Sequence, residues 1–166
     1  MTRLLTGTML AILLSLQAQA DDDITTRHIQ QVIDWTDAAA KDRNAAGIGE
    51  YLSDSFVKII EFPHDKWLAK VRIGKKQYLE LIDESWPSLE EYRYQRDNTV
   101  IHIMPDRQSG QSYSTITETL SLDGKRMVSK FREYAVYTLE NGRPVITQIS
   151  GHTLVGDTMP QPDQNP

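Results

Sequence analysis

Two dipeptides in the C-terminal half of the chain, Asp123-Gly124 and Asn141-Gly142, constrain its fold more than any other sequence feature. Each one stands between long runs that are rich in β-branched and aromatic residues. Asp-Gly and Asn-Gly favour the two-residue turns that join antiparallel strands, because the central residues of such turns need positive φ angles. The sequence therefore predicts three consecutive antiparallel strands, over residues 112–122, 125–140 and 143–155.

The two turns also set a predicted register for these strands. If the strands pair without a bulge, the first turn places Glu133 opposite Ser114, and the second places Phe131 opposite His152. Glu133 and His152 then lie one residue pair apart on the same face, within reach of each other. A carboxylate beside an imidazole is a candidate acid–base pair. The alternative is a glutamate and a histidine that satisfy each other for structural reasons.

The two predicted faces of this sheet differ in composition. One face carries the larger apolar residues, among them Ile116 and Phe131, and is predicted to cover the helices. Glu118 is a second carboxylate on that face. The opposite face is rich in threonine and valine, and we expect it to be an outer surface through which a homodimer could form.

The N-terminal half of the chain contains the predicted helices. Apolar residues recur at helical spacing over 23–43, and a further turn of helix is expected at 49–53. Strands are predicted over 56–62 and 67–72, a helix over 74–86, and a long strand over 91–104. Helices come first and strands last, which indicates an α+β fold.

The first twenty residues are typical of a secretory signal peptide. Arg3 precedes an apolar run over 4–16, and the small residues Ala18-Gln19-Ala20 follow it. The apolar run is too short to span a bilayer comfortably, so no stable membrane anchor is expected. We predict cleavage after Ala20 and a periplasmic or secreted protein. The domain is then expected over residues 21–156, with a disordered tail over 157–166 that contains three prolines.

Composition excludes several classes of function. The chain contains no cysteine, which excludes disulfides, zinc–thiolate centres, iron–sulfur clusters and a cysteine nucleophile. Its formal net charge of -5 argues against general affinity for nucleic acid, which needs clustered positive charge. The four histidines show no metal-ligand spacing, and no phosphate-binding or dinucleotide-binding motif is present. We therefore expect neither a metal site nor a cofactor.

Several of these segments together resemble the nuclear transport factor 2 (NTF2)-like, or SnoaL-like, superfamily. The segments are the first helix, the turn at 47–52, Leu52-Ser53-Asp54-Ser55-Phe56-Val57, Ile73-Gly74-Lys75-Lys76-Gln77-Tyr78 and the hairpin at 140–146. The resemblance implies a curved antiparallel sheet wrapped around three N-terminal helices, forming a cone with an internal pocket. Members of the superfamily include ketosteroid isomerase, scytalone dehydratase, polyketide cyclases and modules without catalysis.

The ketosteroid isomerase pattern is matched in only one of three roles. Glu133 falls at the oxyanion-hole aspartate of that family, whereas Ile60 falls at its general base. The family's oxyanion tyrosine falls near Ile33, Asp34 and Trp35, where no tyrosine stands. The resemblance therefore implies a pocket without implying isomerase activity.

Three functions stay open at the level of sequence. The first is binding of a small apolar or amphipathic ligand inside the cone, without catalysis. The second is an isomerase, dehydratase or cyclase type of enzyme that uses Glu133 and His152 as acid and base. The third is a protein-interaction module for secretion, conjugation or immunity. The residues predicted to contact a ligand are Trp35, Tyr78, Tyr94, Glu118, Phe131 and Gln148.

Overall fold

The computed structural model describes residues 23–64 and 67–156, and these residues form three α-helices, one 3₁₀ turn and six strands. The predicted signal peptide and the predicted tail lie outside the described residues. No helix in the described ranges is long and apolar enough to cross a membrane. The elements are α1 (Thr26–Lys41), α2 (Ala45–Gly49), β1 (Leu52–His64), β2 (Trp67–Gly74), α3 (Lys75–Ser85), a 3₁₀ turn (Trp86–Ser88), β3 (Glu91–Ile103), β4 (Ser109–Leu122), β5 (Lys125–Glu140) and β6 (Arg143–Gly156).

Both predicted tight turns are present. Asp123 and Gly124 have φ angles of 52° and 71°, and Asn141 and Gly142 have φ angles of 55° and 72°. Two successive positive φ angles are what a type I′ turn requires, and its twist matches that of the flanking strands. The boundaries of β5 agree with the predicted 125–140, and β6 extends one residue beyond the predicted strand.

The helices form where local capping allows them to begin. The Thr25 hydroxyl accepts a hydrogen bond from the His28 amide at 3.2 Å and caps α1. The Asn44 side chain accepts from the Gly47 amide at 2.9 Å and starts α2 four residues earlier than the sequence predicted. The turn of helix expected at 49–53 is therefore wrong, because the chain is already extended from Leu52 onwards.

The described strands make one curved, unclosed sheet in the order β2-β1-β6-β5-β4-β3. The pairs β1–β2, β3–β4, β4–β5 and β5–β6 are antiparallel, whereas β1 and β6 run parallel. The predicted α+β fold with a curved sheet around N-terminal helices is confirmed. One face of α1 supplies much of the core, since Ile29, Val32 and Ile33 are at most 2% exposed.

The predicted register is confirmed between β4 and β5 and wrong in most of β6. Ser114 stands opposite Glu133, as expected. Along β6 the pairing begins as predicted, with Tyr137 opposite Ile146, but Val136 then pairs with Gln148. Thr147 is the extra residue of this bulge. A one-residue shift moves the following side chains to the other face of the strand.

The bulge changes which β6 residues face the core. His152 stands opposite Arg132 rather than Phe131. Ile149 and Thr153, which the bulge-free register placed outside, instead line the interior. The predicted outer face therefore loses these two residues and gains Gln148 and His152.

Charged substitutions at two neighbouring positions test this register. Ile149→Lys should lower the free energy of unfolding by roughly 3 kcal/mol or more, because it places an unpaired cation in the interior beside Lys58. Gln148→Lys should change it by no more than about 0.5 kcal/mol, since that side chain faces outwards. Urea unfolding of both variants gives the comparison. A larger loss for Gln148→Lys would support the bulge-free register instead.

Candidate functional site

A cavity of about 430 Å³ lies between the inner face of the sheet and the helices. Its wall is largely apolar and includes aliphatic residues from both helices and strands, with Trp86 and Phe131 adding aromatic surface. Charged and phenolic side chains converge on the rest of the wall: Asp37, Lys58, Tyr78, Tyr92, Tyr94, Arg96, Glu118, Glu133 and Tyr137.

A buried guanidinium, that of Arg96, organises one side of the cavity. Tyr94 and Arg96 alternate along β3, so both side chains project to the inner face. The Arg96 Nε lies 3.0 Å from both carboxylate oxygens of Asp37, which belongs to α1. Its Nη1 donates to Glu133 Oε1 at 2.9 Å, and its Nη2 donates to Tyr94 Oη at 2.7 Å. Every nitrogen of this guanidinium therefore has an acceptor.

Glu133 is held between two cations. One carboxylate oxygen accepts from Arg96, and the other lies 3.6 Å from Lys58 Nζ. Burial alone would raise the pKa of Glu133, but the two cations outweigh burial and hold this pKa below its ordinary value. Glu133 is therefore ionised near neutral pH, and its position between Arg96 and Lys58 makes it a structural counter-ion more than a proton donor.

Glu118 is in the opposite electrostatic situation. The Tyr92 hydroxyl donates a hydrogen bond to Glu118 Oε1 at 2.8 Å. Burial raises the pKa of Glu118 above its ordinary value, and the hydrogen bond from Tyr92 and the charge of Lys58 only partly oppose this. Glu118 therefore holds a proton more readily than an ordinary glutamate does, and a carboxyl of this kind in a cavity is a candidate for proton transfer.

Burial also raises the pKa of Asp37, against the opposing effect of Arg96. The three acidic side chains of the cavity are thus pushed in two directions, with Asp37 and Glu118 raised and Glu133 lowered. Environments that separate the pKa values of neighbouring acids are typical of functional sites, although structural ion pairs produce the same effect.

The structure brings together most of the residues that the sequence singled out. Tyr78, Tyr94, Glu118, Phe131 and Glu133 all line the cavity. They lie on α3, β3, β4 and β5, where the inner face follows the predicted alternation.

Three predicted residues lie elsewhere. His152 is not a partner of Glu133: its side chain is 51% exposed, and its Nδ1 lies 3.5 Å from Glu61. The acid–base pair of Glu133 and His152 is therefore wrong, because the bulge turns His152 outwards. The bulge also turns Gln148 out of the cavity, and its side-chain amide donates a hydrogen bond to the Ser150 hydroxyl at 3.1 Å.

Trp35 is absent from the cavity wall because the buried stripe of α1 passes through Thr36 and Ala40 instead. The Trp35 side chain is 55% exposed, and its ring centroid lies 5.1 Å from that of Tyr51. These two rings line a separate surface pocket of about 210 Å³ beside Arg143.

Sequence reasoning missed Asp37, Lys58 and Arg96. Two of them carried a usable signal, since Lys58 alternates with Phe56 and Ile60, and Arg96 alternates with Tyr94. A charged residue on the apolar face of a predicted strand requires a buried partner, and this requirement points to the interior. Within the described ranges, no group of three histidine, aspartate or glutamate side chains is placed to hold a metal ion.

Solved structures with low sequence identity share the α+β architecture of this chain. A putative scytalone dehydratase from Novosphingobium aromaticivorans superimposes with a TM-score of 0.64 at 7% identity, covering 83% of this chain and 88% of that chain. The hexachlorocyclohexane dehydrochlorinase LinA-type3 from Novosphingobium barchaimii gives a TM-score of 0.62 at 11% identity, covering 78% and 86%.

An NTF2-like protein of unknown function from Pseudomonas putida gives a TM-score of 0.60 at 13% identity, covering 75% of this chain and 83% of that chain. No protein-family model matches the sequence, and no curated protein matches it significantly. The fold is that of the NTF2-like, or SnoaL-like, superfamily, as the sequence resemblance implied.

The two buried glutamates predict opposite effects of pH on stability. A raised folded-state pKa means that Glu118 contributes stability below the ordinary value of 4.5, and this contribution is lost as the pH rises through the folded pKa. A lowered folded-state pKa means that Glu133 contributes stability above 4.5, and this is lost as the pH falls through the folded pKa.

Wild type should lose unfolding free energy both above and below pH 4.5. Glu118→Gln should reduce the loss above pH 4.5, whereas Glu133→Gln should reduce the loss below it. Urea unfolding of both variants across the acidic and neutral range measures the two slopes. Identical slopes for the two variants would contradict the opposite assignments.

Proposed function

We propose that the protein binds a small, mainly apolar molecule with a polar group inside the cone. The observation that carries this proposal is the cavity of about 430 Å³, whose apolar wall is interrupted on one side by convergent charged and phenolic groups. Small-molecule sites are typically concave, of roughly 300–1,000 Å³, mostly apolar and provided with a few placed polar groups.

A second candidate function is proton-transfer catalysis in the same cavity. The observation that favours it is Glu118, whose pKa is raised by burial and whose carboxyl is oriented by the hydroxyl of Tyr92. Two similar structures are named a putative scytalone dehydratase and a hexachlorocyclohexane dehydrochlorinase. Loss of water or of hydrogen chloride removes a hydrogen together with the leaving group, and a carboxylate base can take that hydrogen as a proton. In this version Glu118 takes the role that the sequence gave to Glu133 and His152.

Filling the cavity tests the binding proposal. Gly151 lines the cavity, and a Cβ built on it would lie 3.6 Å from the Phe131 ring, an ordinary contact. Gly151→Leu should therefore fold normally but lose binding of N-phenylnaphthylamine, a neutral apolar fluorescent probe. Fluorescence titration measures this binding, and circular dichroism confirms the fold.

The matched control is Ser150→Leu, since Ser150 is the preceding residue on the same strand and faces outwards. It adds the same side chain without entering the cavity, so probe affinity should stay within about twofold of wild type. Equal binding by wild type and Gly151→Leu would show that the cavity is not the binding site.

We also propose that the protein is exported and that a homodimer forms through the outer face of the sheet. The N-terminal residues 1–20 support export. Three residues of the outer face support the dimer, because Val100, Tyr113 and Val128 are 51%, 47% and 39% exposed. Tyr113 packs against Tyr134 at a ring-centroid distance of 5.0 Å, which adds aromatic surface there.

Native mass spectrometry tests both points on one sample. The full chain is expressed in a bacterium and recovered from the periplasmic fraction. The expected subunit begins at Asp21, and the expected complex contains two subunits. Recovery of uncleaved chain in the cytoplasm alone would contradict export, and a monomer at micromolar concentration would contradict the homodimer.

A further inference from the structure

The two cations of the cavity differ in how many of their donors are already used. Most donors of Arg96 are already used, because Asp37, Glu133 and Tyr94 accept from all three of its nitrogens. Its role is to hold protein groups together, and it has little capacity for a ligand. The charged group with hydrogen-bond donors available to a ligand is therefore the other cation of the cavity.

Lys58 is that other cation. It projects from β1 into the cavity, and its side chain is only 12% exposed. An ammonium group has three N–H donors. Among the described residues its contacts are Glu133 Oε2 at 3.6 Å and the face of the Tyr78 ring, whose centroid lies 5.5 Å from Nζ. A buried ammonium with so few acceptors gains free energy when a ligand oxygen accepts from it.

The charges of the cavity favour a neutral ligand over an anionic one. Three carboxyl groups, those of Asp37, Glu118 and Glu133, already line the cavity together with the two cations Arg96 and Lys58. An anion would bring an unbalanced charge into this site close to Glu133 and Glu118, and such a charge is costly when buried. A neutral oxygen acceptor satisfies the ammonium without that cost.

We infer that Lys58 determines ligand specificity, and that the cavity takes a neutral, mainly apolar molecule whose carbonyl or similar oxygen accepts a hydrogen bond from the Lys58 ammonium. This inference rests on the proposed binding function and adds the chemical class of ligand. The apolar body lies along the aliphatic and aromatic wall, and the oxygen lies beside Lys58 and Tyr78.

Three matched probes separate the alternatives. Acetylnaphthalene carries a carbonyl, ethylnaphthalene replaces the carbonyl with a methylene, and naphthoate carries a carboxylate on the same ring system. Their affinities are measured by displacement of N-phenylnaphthylamine from wild type and from Lys58→Met. Lys70→Met is the control, because it removes the same charge from a side chain that is 61% exposed.

The ratio of ketone affinity to hydrocarbon affinity should fall about tenfold in Lys58→Met, as expected for loss of a hydrogen bond from a charged donor. The same ratio should stay within about twofold of wild type in Lys70→Met. Wild type should also bind acetylnaphthalene more tightly than naphthoate. If Lys58→Met fails to fold, the double variant Lys58→Met with Glu133→Gln restores the charge balance and carries the same expectation.

The outcomes distinguish this inference from the function on which it rests. An unchanged ketone-to-hydrocarbon ratio in Lys58→Met, with all neutral probes still bound, overturns the role of Lys58 and leaves the binding function standing. Preference for naphthoate overturns the neutral-ligand class. Failure of every neutral probe, including N-phenylnaphthylamine, to bind wild type overturns the binding function itself.

Discussion

The ion pairs of one buried arginine, Arg96, hold the interior of this protein together. They join α1 to the sheet, because Asp37 lies on the helix and Glu133 lies on β5. Burying these charges without partners would cost several kcal/mol per ion, so each member requires the others. The same contacts keep Glu133 ionised and use all three nitrogens of the guanidinium. Lys58 and Glu118 are the charged or acidic groups of the cavity that do not contact Arg96.

Much of the fold could be predicted from sequence because its strongest signals are local. Asp123-Gly124 and Asn141-Gly142 determine two hairpins, and φ angles there are set by neighbouring residues rather than by distant contacts. The bulge at Thr147 could not be predicted in this way. Thr147 itself is an ordinary strand residue. The residues after it do carry a signal, because the bulge-free register turns the polar Gln148, Ser150 and His152 towards the core and Ile149 outwards, but the two turns do not show where the extra residue lies. A single extra residue therefore reversed the faces of Gln148, Ile149 and His152.

On the three C-terminal strands, the candidate site was predictable only where the register held. Glu118, Phe131 and Glu133 were found because β4 and β5 pair without a bulge between them. Asp37 was missed because an aspartate on a helix normally faces water, and nothing nearby in the sequence indicates that Arg96, on a different element, will pair with it. The alternation of Lys58 with Phe56 and Ile60 indicated that it faces the interior, but its partner Glu133 lies on a strand far away in the sequence. Such long-range pairing leaves no periodic signal.

We conclude that the buried ion pairs of Arg96 hold the cavity together, and a double-mutant cycle tests this conclusion. Urea unfolding is measured for wild type, Arg96→Met, Asp37→Asn and the double variant, with Arg93→Met as a control on the same strand because that side chain is 74% exposed. Arg96→Met should lower the unfolding free energy by about 3–5 kcal/mol, with a coupling to Asp37 of about 1–3 kcal/mol. Arg93→Met should cost no more than about 1 kcal/mol. A loss in Arg96→Met no larger than that in Arg93→Met, with no coupling to Asp37, would contradict the claim.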